Sequence, residues 1–375
     1  MNLATEGDDP VELRETKVDE GWRVEILSDG RSVSGLWVID RSLRIGSAVV
    51  TVGGIGGVET DREHRRRGLA RRSLEAAVDL MGREGYEASF LFGIQDFYHR
   101  FGFATCMADH ELVIGTRAAE RAERRLKLRR LRRADLPAVV RIYNRDNAAR
   151  TASCVRTSRW RGFERGTSWG VGAAPHVAVG ESGRVVGYIC LDGTEERCRA
   201  SEVGGTGDDV FHTLLAALAR RAVSLRREEI SLSVPGDHPF ALFCRQFGAR
   251  ATSQFVRRGG PMGRIIDLES FLCKLLPVLG ERWQGAAPEL VLATDLGTCV
   301  LRRGRGGELV LAARPTRGAL RLRLNQDVLM QLACGYRSVE ACWLAGDLSG
   351  TVASRDLAGR LFPLHQGHMW WSDRF

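Results

Sequence analysis

The chain has 375 residues, 44% of them hydrophobic and 27% charged, and 55 Lys and Arg against 46 Asp and Glu give a formal net charge of +9. Such a length exceeds one ordinary core and implies two or three domains; the composition excludes a disordered chain, and no apolar run approaches the ~18–20 residues of a bilayer span. The positive excess favours anionic partners, whether nucleic acid, anionic lipid or a phosphorylated cofactor.

The N-terminus, MNLATEGDDPVELRE, is acidic and polar and does not read as a secretory signal. Nine cysteines are scattered without a C-x-x-C pair. They fit reduced, mostly buried thiols, and so a cytoplasmic protein, better than a disulfide frame or a zinc site. Much of the basic excess lies in RAAERAERRLKLRRLRRAD, residues 117–135. No aromatics interleave there to stack on bases, so the stretch reads as a solvated linker followed by an edge strand, LKLRRL, rather than a nucleic-acid arm.

In chain order, WRVEIL, SVSGLWVI and SAVVTVGGI read as successive antiparallel strands separated by turns. The glycine-rich GGIGG at 53–57 reads as a strand-end bulge. It lacks the strand–GxGxxG–helix order of a dinucleotide fingerprint. HRRRGLARRSLEAAVDLMGREG has the apolar spacing of a helix stopping near Gly85. YEASFLFG is the next buried strand, followed by DFYHRFGFATC. A second unit begins at LKLRRLRRADLPAVVRIYNRDN, where Asp135 and Pro137 mark a helix start. HVAVGESGRVVGYICLDG then reads as a hairpin turning at Glu181–Gly183, VFHTLLAALARRAVSLR as a helix and EISLSVPG as a strand. FALFCRQFGARATSQFV repeats the form of the segment around Tyr98. The two units share one order, which implies an internal duplication. A third unit from about Asp267 mixes helices with several strands and ends in a short tail, PLHQGHMWWSDRF.

The stretch Val58–Arg71 sets a strand end, a basic loop and a glycine where a helix begins. A helix start offers free N–H groups and the positive end of its dipole, and Gly68 and Ala70 allow close approach of a bulky diphosphate. Arg65, Gly68 and Ala70 fall on the Arg/Gln-x-x-Gly-x-Gly/Ala pattern, so the segment resembles the GCN5-related N-acetyltransferases (GNAT). Tyr98, in FYHRFGF, stands where that superfamily often carries a tyrosine facing the thioester sulfur. The tandem lobes and third unit are similar to the Eis (enhanced intracellular survival) family over nearly the whole chain.

That resemblance implies an α/β (α+β) fold of two tandem GNAT-like mixed-sheet lobes followed by a sterol-carrier-like domain. Residues 1–125 form the catalytic lobe, 126–268 a degenerate lobe, and 269–375 a domain ending in the active site. It also implies acetyl-CoA as cosubstrate, contacted by Val58, Glu59 and Thr60 through the strand and by Arg66, Arg67, Gly68, Leu69, Ala70 and Arg71 around the pyrophosphate. Gly93 and Ile94 lie by the pantetheine or acetyl end. Acetyl passes directly to a primary amine, of the polyamine, aminoglycoside or protein-lysine kind. Tyr98 is the general acid, and the terminal carboxylate of Phe375 is the general base. The second lobe has no R-x-x-G-x-A. Its loop Ala200–Asp209 is acidic and expected to repel a pyrophosphate. The first lobe has hardly room for the opening strand and two helices that usually wall the acceptor pocket. No metal site is expected, since His365 and His368 have no carboxylate or cysteine arranged around them. A homo-oligomer, a hexamer by analogy, is implied, and no membrane partner. The competing readings are a non-catalytic acetyl-CoA sensor or lipid- or protein-binding module, and a nucleic-acid-associated protein.

Overall fold

The computed structural model of the chain describes residues 11–167, 171–285, 287, 289–304 and 306–375. The first lobe opens with strands β1 (Val11–Val18), β2 (Gly21–Ser28), β3 (Arg31–Ile45) and β4 (Ala48–Thr60). Helix α1 (Leu69–Arg83), β5 (Ala88–Gly93) and β6 (Ala104–Thr105) follow, then β7 (Asp109–Gly115) and the short α2 (Thr116–Ala119). The second lobe comprises β8 (Lys127–Arg130), α3 (Leu136–Asp146), β9 (Ala173–Val179), β10 (Val185–Asp192), β11 (Cys198–Gly205), α4 (Asp208–Ser224), β12 (Glu229–Leu232), α5 (Pro239–Cys244) and β13 (Ala249–Gln254). After β14 (Gly260–Ile265), the third unit runs through α6 (Leu268–Arg282), β15 (Glu289–Thr294), β16 (Gly297–Arg303), β17 (Leu309–Ala312) and β18 (Leu320–Leu324). It closes with α7 (Gln326–Ala333), α8 (Val339–Leu344), β19 (Leu348–Gly350) and α9 (Val352–Leu361).

The duplication is visible in the sheets. The first has the order β1-β2-β3-β4-β5-β14-β6 and the second β8-β9-β10-β11-β12-β7-β13. Each is an antiparallel meander joined to one parallel strand, β4 to β5 and β11 to β12. The boundary near residue 125 does not separate the sheets, because the lobes exchange a strand. β7, from the first sequence repeat, lies between β12 and β13, and β14, from the second, lies between β5 and β6. The third sheet, β17-β16-β15-β18-β19, stands apart.

Three readings of the sequence are corrected. The opening strand is present as β1, paired along its length with β2. Only Asp19 and Glu20 separate the two strands, so no helices lie between them. Residues 198–205 form a central strand rather than a loop, although Ser201, Glu202, Gly204 and Gly205 are poor strand formers. Pairing with β10 and burial override their propensity. Asp135 accepts from the Arg132 N–H at 2.7 Å and pairs with both Arg129 Nη atoms, capping the 3₁₀ turn before α3 rather than α3 itself.

Three large clusters make up most of the core. α1 packs Leu74, Ala77, Leu80 and Met81 on one face of the first sheet. The other face gives Val50, Val52, Ala88 and Phe90 to a core shared with Phe271, Leu272 and Leu275 of α6. The third unit is thereby fixed to the first lobe. The second lobe closes its own core, which takes in Trp370 from the tail. All nine cysteines are free thiols, seven of them buried. Among the described residues no helix is long and apolar enough to cross a membrane.

The strand exchange predicts that residues 1–125 expressed alone will not fold, because β14 is missing from the sheet and β7 has no partners. Circular dichroism melts should show no cooperative transition for that fragment, and co-expression with 126–375 should restore one.

Candidate active site

Strands β4 and β5 run parallel from Val52↔Ala88 to Ile55↔Leu91 and then part. β4 stays paired with β3 as far as Thr60, and β5 with β14 through Gly93. The arms hold their outer partners while their inner edges separate, leaving backbone groups of residues 56–60 facing a fork. The register between β3 and β4 shifts between Gly35 and Trp37, and Gly57 takes a φ of 58°. The glycine run is thus a bulge inside a long strand rather than at its end.

The glycines also make room. A Cβ on Gly53 would strike Met81 of α1, whereas one on Gly54 would lie 2.5–2.7 Å from ring atoms of Phe375. A Cβ on Gly56 would lie 2.9 Å from the Phe375 carboxyl carbon. The chain therefore ends over the β4 arm of the fork, on the face away from α1. The Phe375 ring sits 6.0 Å from that of Phe92.

Beyond the fork, Asp61–Arg67 turns through a 3₁₀ segment, Arg62–His64, into α1. Arg66 has a φ of 63° and Gly68 a φ of 78°. The second needs a glycine, since this region costs an ordinary residue about 1–2 kcal/mol. The first bond of α1 runs from the Arg72 N–H to the Gly68 carbonyl at 3.0 Å. The N–H groups of Leu69, Ala70 and Arg71 therefore lie before the helical ladder, the kind of position at which a helix start can meet an anion. Among the described residues no side chain caps this end, and no acidic residue occupies its first turn. Arg66 and Arg71 are exposed and form no ion pair among the described residues.

On the β5 arm, Tyr98 is buried between Phe97 and Phe103, and its ring bears on Gly93, where a Cβ would lie 2.7 Å from it. Burial raises its pKa and keeps the phenol protonated. Tyr98 and Leu91 belong to the core under α1, whereas Phe92 and Phe375 pack toward the third unit. The rings of Tyr98 and Phe375 thus lie on opposite faces of the first sheet. Ile94 is 68% exposed just past Gly93. Val58 packs at the edge of the α1 core, Glu59 pairs with Arg23 at 3.2 Å, and the Thr60 hydroxyl meets Ser34 Oγ at 2.8 Å.

The sequence reading missed two groups. Trp37 is paired with Gly56 and so shares the face of the carboxylate; it is 41% exposed with the Arg23 guanidinium 4.8 Å over its ring. A tryptophan on the outward phase of SVSGLWVI was the available signal. Arg156, in a loop with no motif, holds the tail through Asp373. A cavity of about 400 Å³ opens beside this part of the tail, lined by Arg41, Trp160, Arg161 and Asp373 among others.

The second lobe has its own fork past Ala200↔Leu232. Asp208 and Asp209, both exposed, share one partner, Arg125. The Gly205 N–H is taken by Asp146 at 2.7 Å, and Glu202 is engaged by Arg156. His365 and His368 lie at the junction of the units, the His368 ring 6.0 Å from His110.

If Gly54 is the seat of the Phe375 ring, Gly54→Ala should displace the tail without unfolding the sheet. Release of phenylalanine by a carboxypeptidase should be slow in the native protein and severalfold faster in the variant.

Residues 4–106 match the model of the acetyltransferase (GNAT) domain. No curated protein sequence matches the chain. The fold is similar to that of a probable N-acyltransferase from Enterococcus faecalis, with a TM-score of 0.77 and 17% identity over 95% of this chain and 89% of that one. It is also similar to a GCN5-related N-acetyltransferase from Anabaena variabilis (TM-score 0.75, 17% identity, 94% and 89% covered). Eis1 from Mycobacterium abscessus gives a TM-score of 0.67 at 16% identity, with 94% and 90% covered. At these identities the likeness speaks for the fold, which the whole chain shares. The first lobe, by its own sequence, is an acetyltransferase domain of the GNAT type.

Proposed function

We propose that the chain is an acetyl-CoA-dependent N-acetyltransferase acting on a primary amine, with its reaction centre in the fork between β4 and β5. The observation that carries this reading is the chain terminus laid over Gly56 at the mouth of that fork. A carboxylate brought to a parted strand edge is hard to account for by packing alone. The diphosphate of acetyl-CoA fits the start of α1, where Leu69, Ala70 and Arg71 offer N–H groups, Gly68 leaves open space and Arg66 and Arg71 supply charge. Arg67 joins them on the same turn. Val58, Glu59 and Thr60 line the strand arm, and Gly93 and Ile94 the opposite one. Bound there, acetyl-CoA supplies an activated acyl group.

The residues then divide the work. An acceptor amine, with a pKa of ~10, is mostly ammonium at neutral pH. The Phe375 carboxylate takes its proton, directly or through water, and frees the nitrogen lone pair for the thioester carbonyl. An inner-edge N–H of the β4 arm bonds the oxygen as charge gathers on it. Tyr98, kept protonated by burial, gives its proton to the departing sulfur and regains one as the acylated nitrogen sheds its second proton, while the proton held by Phe375 passes to water. Trp37 forms the acceptor-side wall that two helices would otherwise provide. The third unit, read as sterol-carrier-like, delivers the tail. We read the compartment as cytoplasmic from the unpaired thiols.

A transfer screen of polyamines, aminoglycosides and lysine peptides with acetyl-CoA tests the reading. Tyr98→Phe should lower kcat by about 100-fold or more while calorimetry gives an unchanged coenzyme A affinity; a sensor would lose nothing measurable. Residues appended after Phe375 should abolish turnover, and undiminished activity in that form removes the terminal carboxylate from the mechanism. Absence of coenzyme A binding removes the assignment.

A further inference from the structure

The last six residues are held far more tightly than a docked tail requires. Trp370 is wholly buried in the second lobe and donates its indole N–H to Asn147 Oδ1 at 3.0 Å. That contact alone anchors the segment, but five residues then separate it from the chain end, a reach of ~17 Å when extended. Three residues on, Asp373 enters a buried ionic cluster. The Arg156 guanidinium donates to Glu202 Oε1 and Oε2 at 2.6 and 2.8 Å. It also donates to Asp373 through Nε and Nη2, each at 2.9 Å, and to Ser372 Oγ at 2.7 Å. Trp160 Nε1–H adds a 2.7 Å bond to Asp373 Oδ1, and the Tyr188 hydroxyl one of 2.7 Å to Glu202. The guanidinium lies 3.4 Å from the ring centre of Tyr143 and 3.8 Å from that of Trp160. Arg374 is pinned as well, by Asp109 at 3.0 Å and against Trp371 and Phe92. Two residues remain beyond Asp373, a reach of ~7 Å.

The position of the clamp is as informative as its strength. Glu202 stands on β11 just past its last parallel pair with β12, which is the place the open fork occupies in the first lobe. We propose that Arg156 and Glu202 are positioning residues: the fork of the second lobe grips Ser372 and Asp373 and so fixes where the Phe375 carboxylate stands in the first. This rests on the reading of that carboxylate as the base. The second repeat thus contributes to the reaction without touching a substrate, its cofactor fork turned into a vice for the chain end.

Asp373→Asn tests this most gently, since it keeps the side-chain shape and leaves Arg156 paired with Glu202. Trp160→Phe, which removes one donor to Asp373, serves as a second variant. With acetyl-CoA and spermidine as probes, and thiol release from acetyl-CoA to water measured alongside, kcat of Asp373→Asn should fall roughly 10- to 100-fold. The coenzyme A Kd should stay within twofold, and high formate should restore part of the rate. Trp160→Phe should show a smaller loss in the same direction, and carboxypeptidase should release Phe375 faster from both. A kcat within twofold of the parent in both variants, or unchanged carboxypeptidase release, overturns the clamp. The extended chain separates the two ideas. If extension leaves activity intact, the base assignment fails; if extension abolishes activity while both variants stay active, only the clamp fails.

Discussion

One cation between two carboxylates organises the molecule. Arg156 is removed from solvent with Glu202 and Asp373, and burial alone would lower its pKa. The charges of Asp373 and Glu202 reverse that and push it well above the ordinary arginine value, so the guanidinium stays charged. Such a cluster is a poor source of net stability, because desolvating three charges consumes most of what their attraction returns. Breaking it is another matter, since removing one partner of a buried pair typically costs ~3–5 kcal/mol. The arrangement tolerates little alternative geometry. It ties three distant stretches, the loop at 156, the strand at 202 and the tail at 372–373, into one configuration.

From that tie the roles of the three units follow. The first lobe supplies the open strand edge and the bare helix start. The second lobe has the same frame, but its equivalent strand edge is committed: Asp146 takes the Gly205 N–H and Glu202 is spent on Arg156. The third unit docks α6 against the face of the first sheet opposite α1, and its chain returns along that side to Gly54 and Gly56. Small residues in β4 are the local condition for this, because a side chain at either glycine would occupy the place of Phe375.

The sequence revealed what is local and chemical. Arg65, Gly68 and Ala70, Tyr98 and the aromatic tail could be read within a few neighbouring residues; in the fold Gly68 precedes α1, Tyr98 bears on Gly93 and Phe375 lies over Gly54. What depends on distant partners was hidden. β11 looked like a loop because Ser201, Glu202, Gly204 and Gly205 have little intrinsic preference for a strand; β10 pairs with this stretch and Arg156 grips Glu202. Asp208 and Asp209 looked unpaired because their shared partner, Arg125, lies far back in the chain. Nothing in DHELVIG or GPMGRI says that each strand belongs to the other repeat's sheet; that is decided by register with partners more than a hundred residues away. Trp37 gave a weak signal, an aromatic on the outward phase of an alternating strand, and Arg156 gave none.

The exchanged strands bear on inheritance. In an ordinary tandem array a copy that stops binding its ligand can be deleted, and one that works can be borrowed by another gene. Here either event would remove β14 from the first sheet or orphan β7. The two copies are therefore tied by their sheets: loss of either leaves a gap in the other, so each must keep the strand its sister borrows.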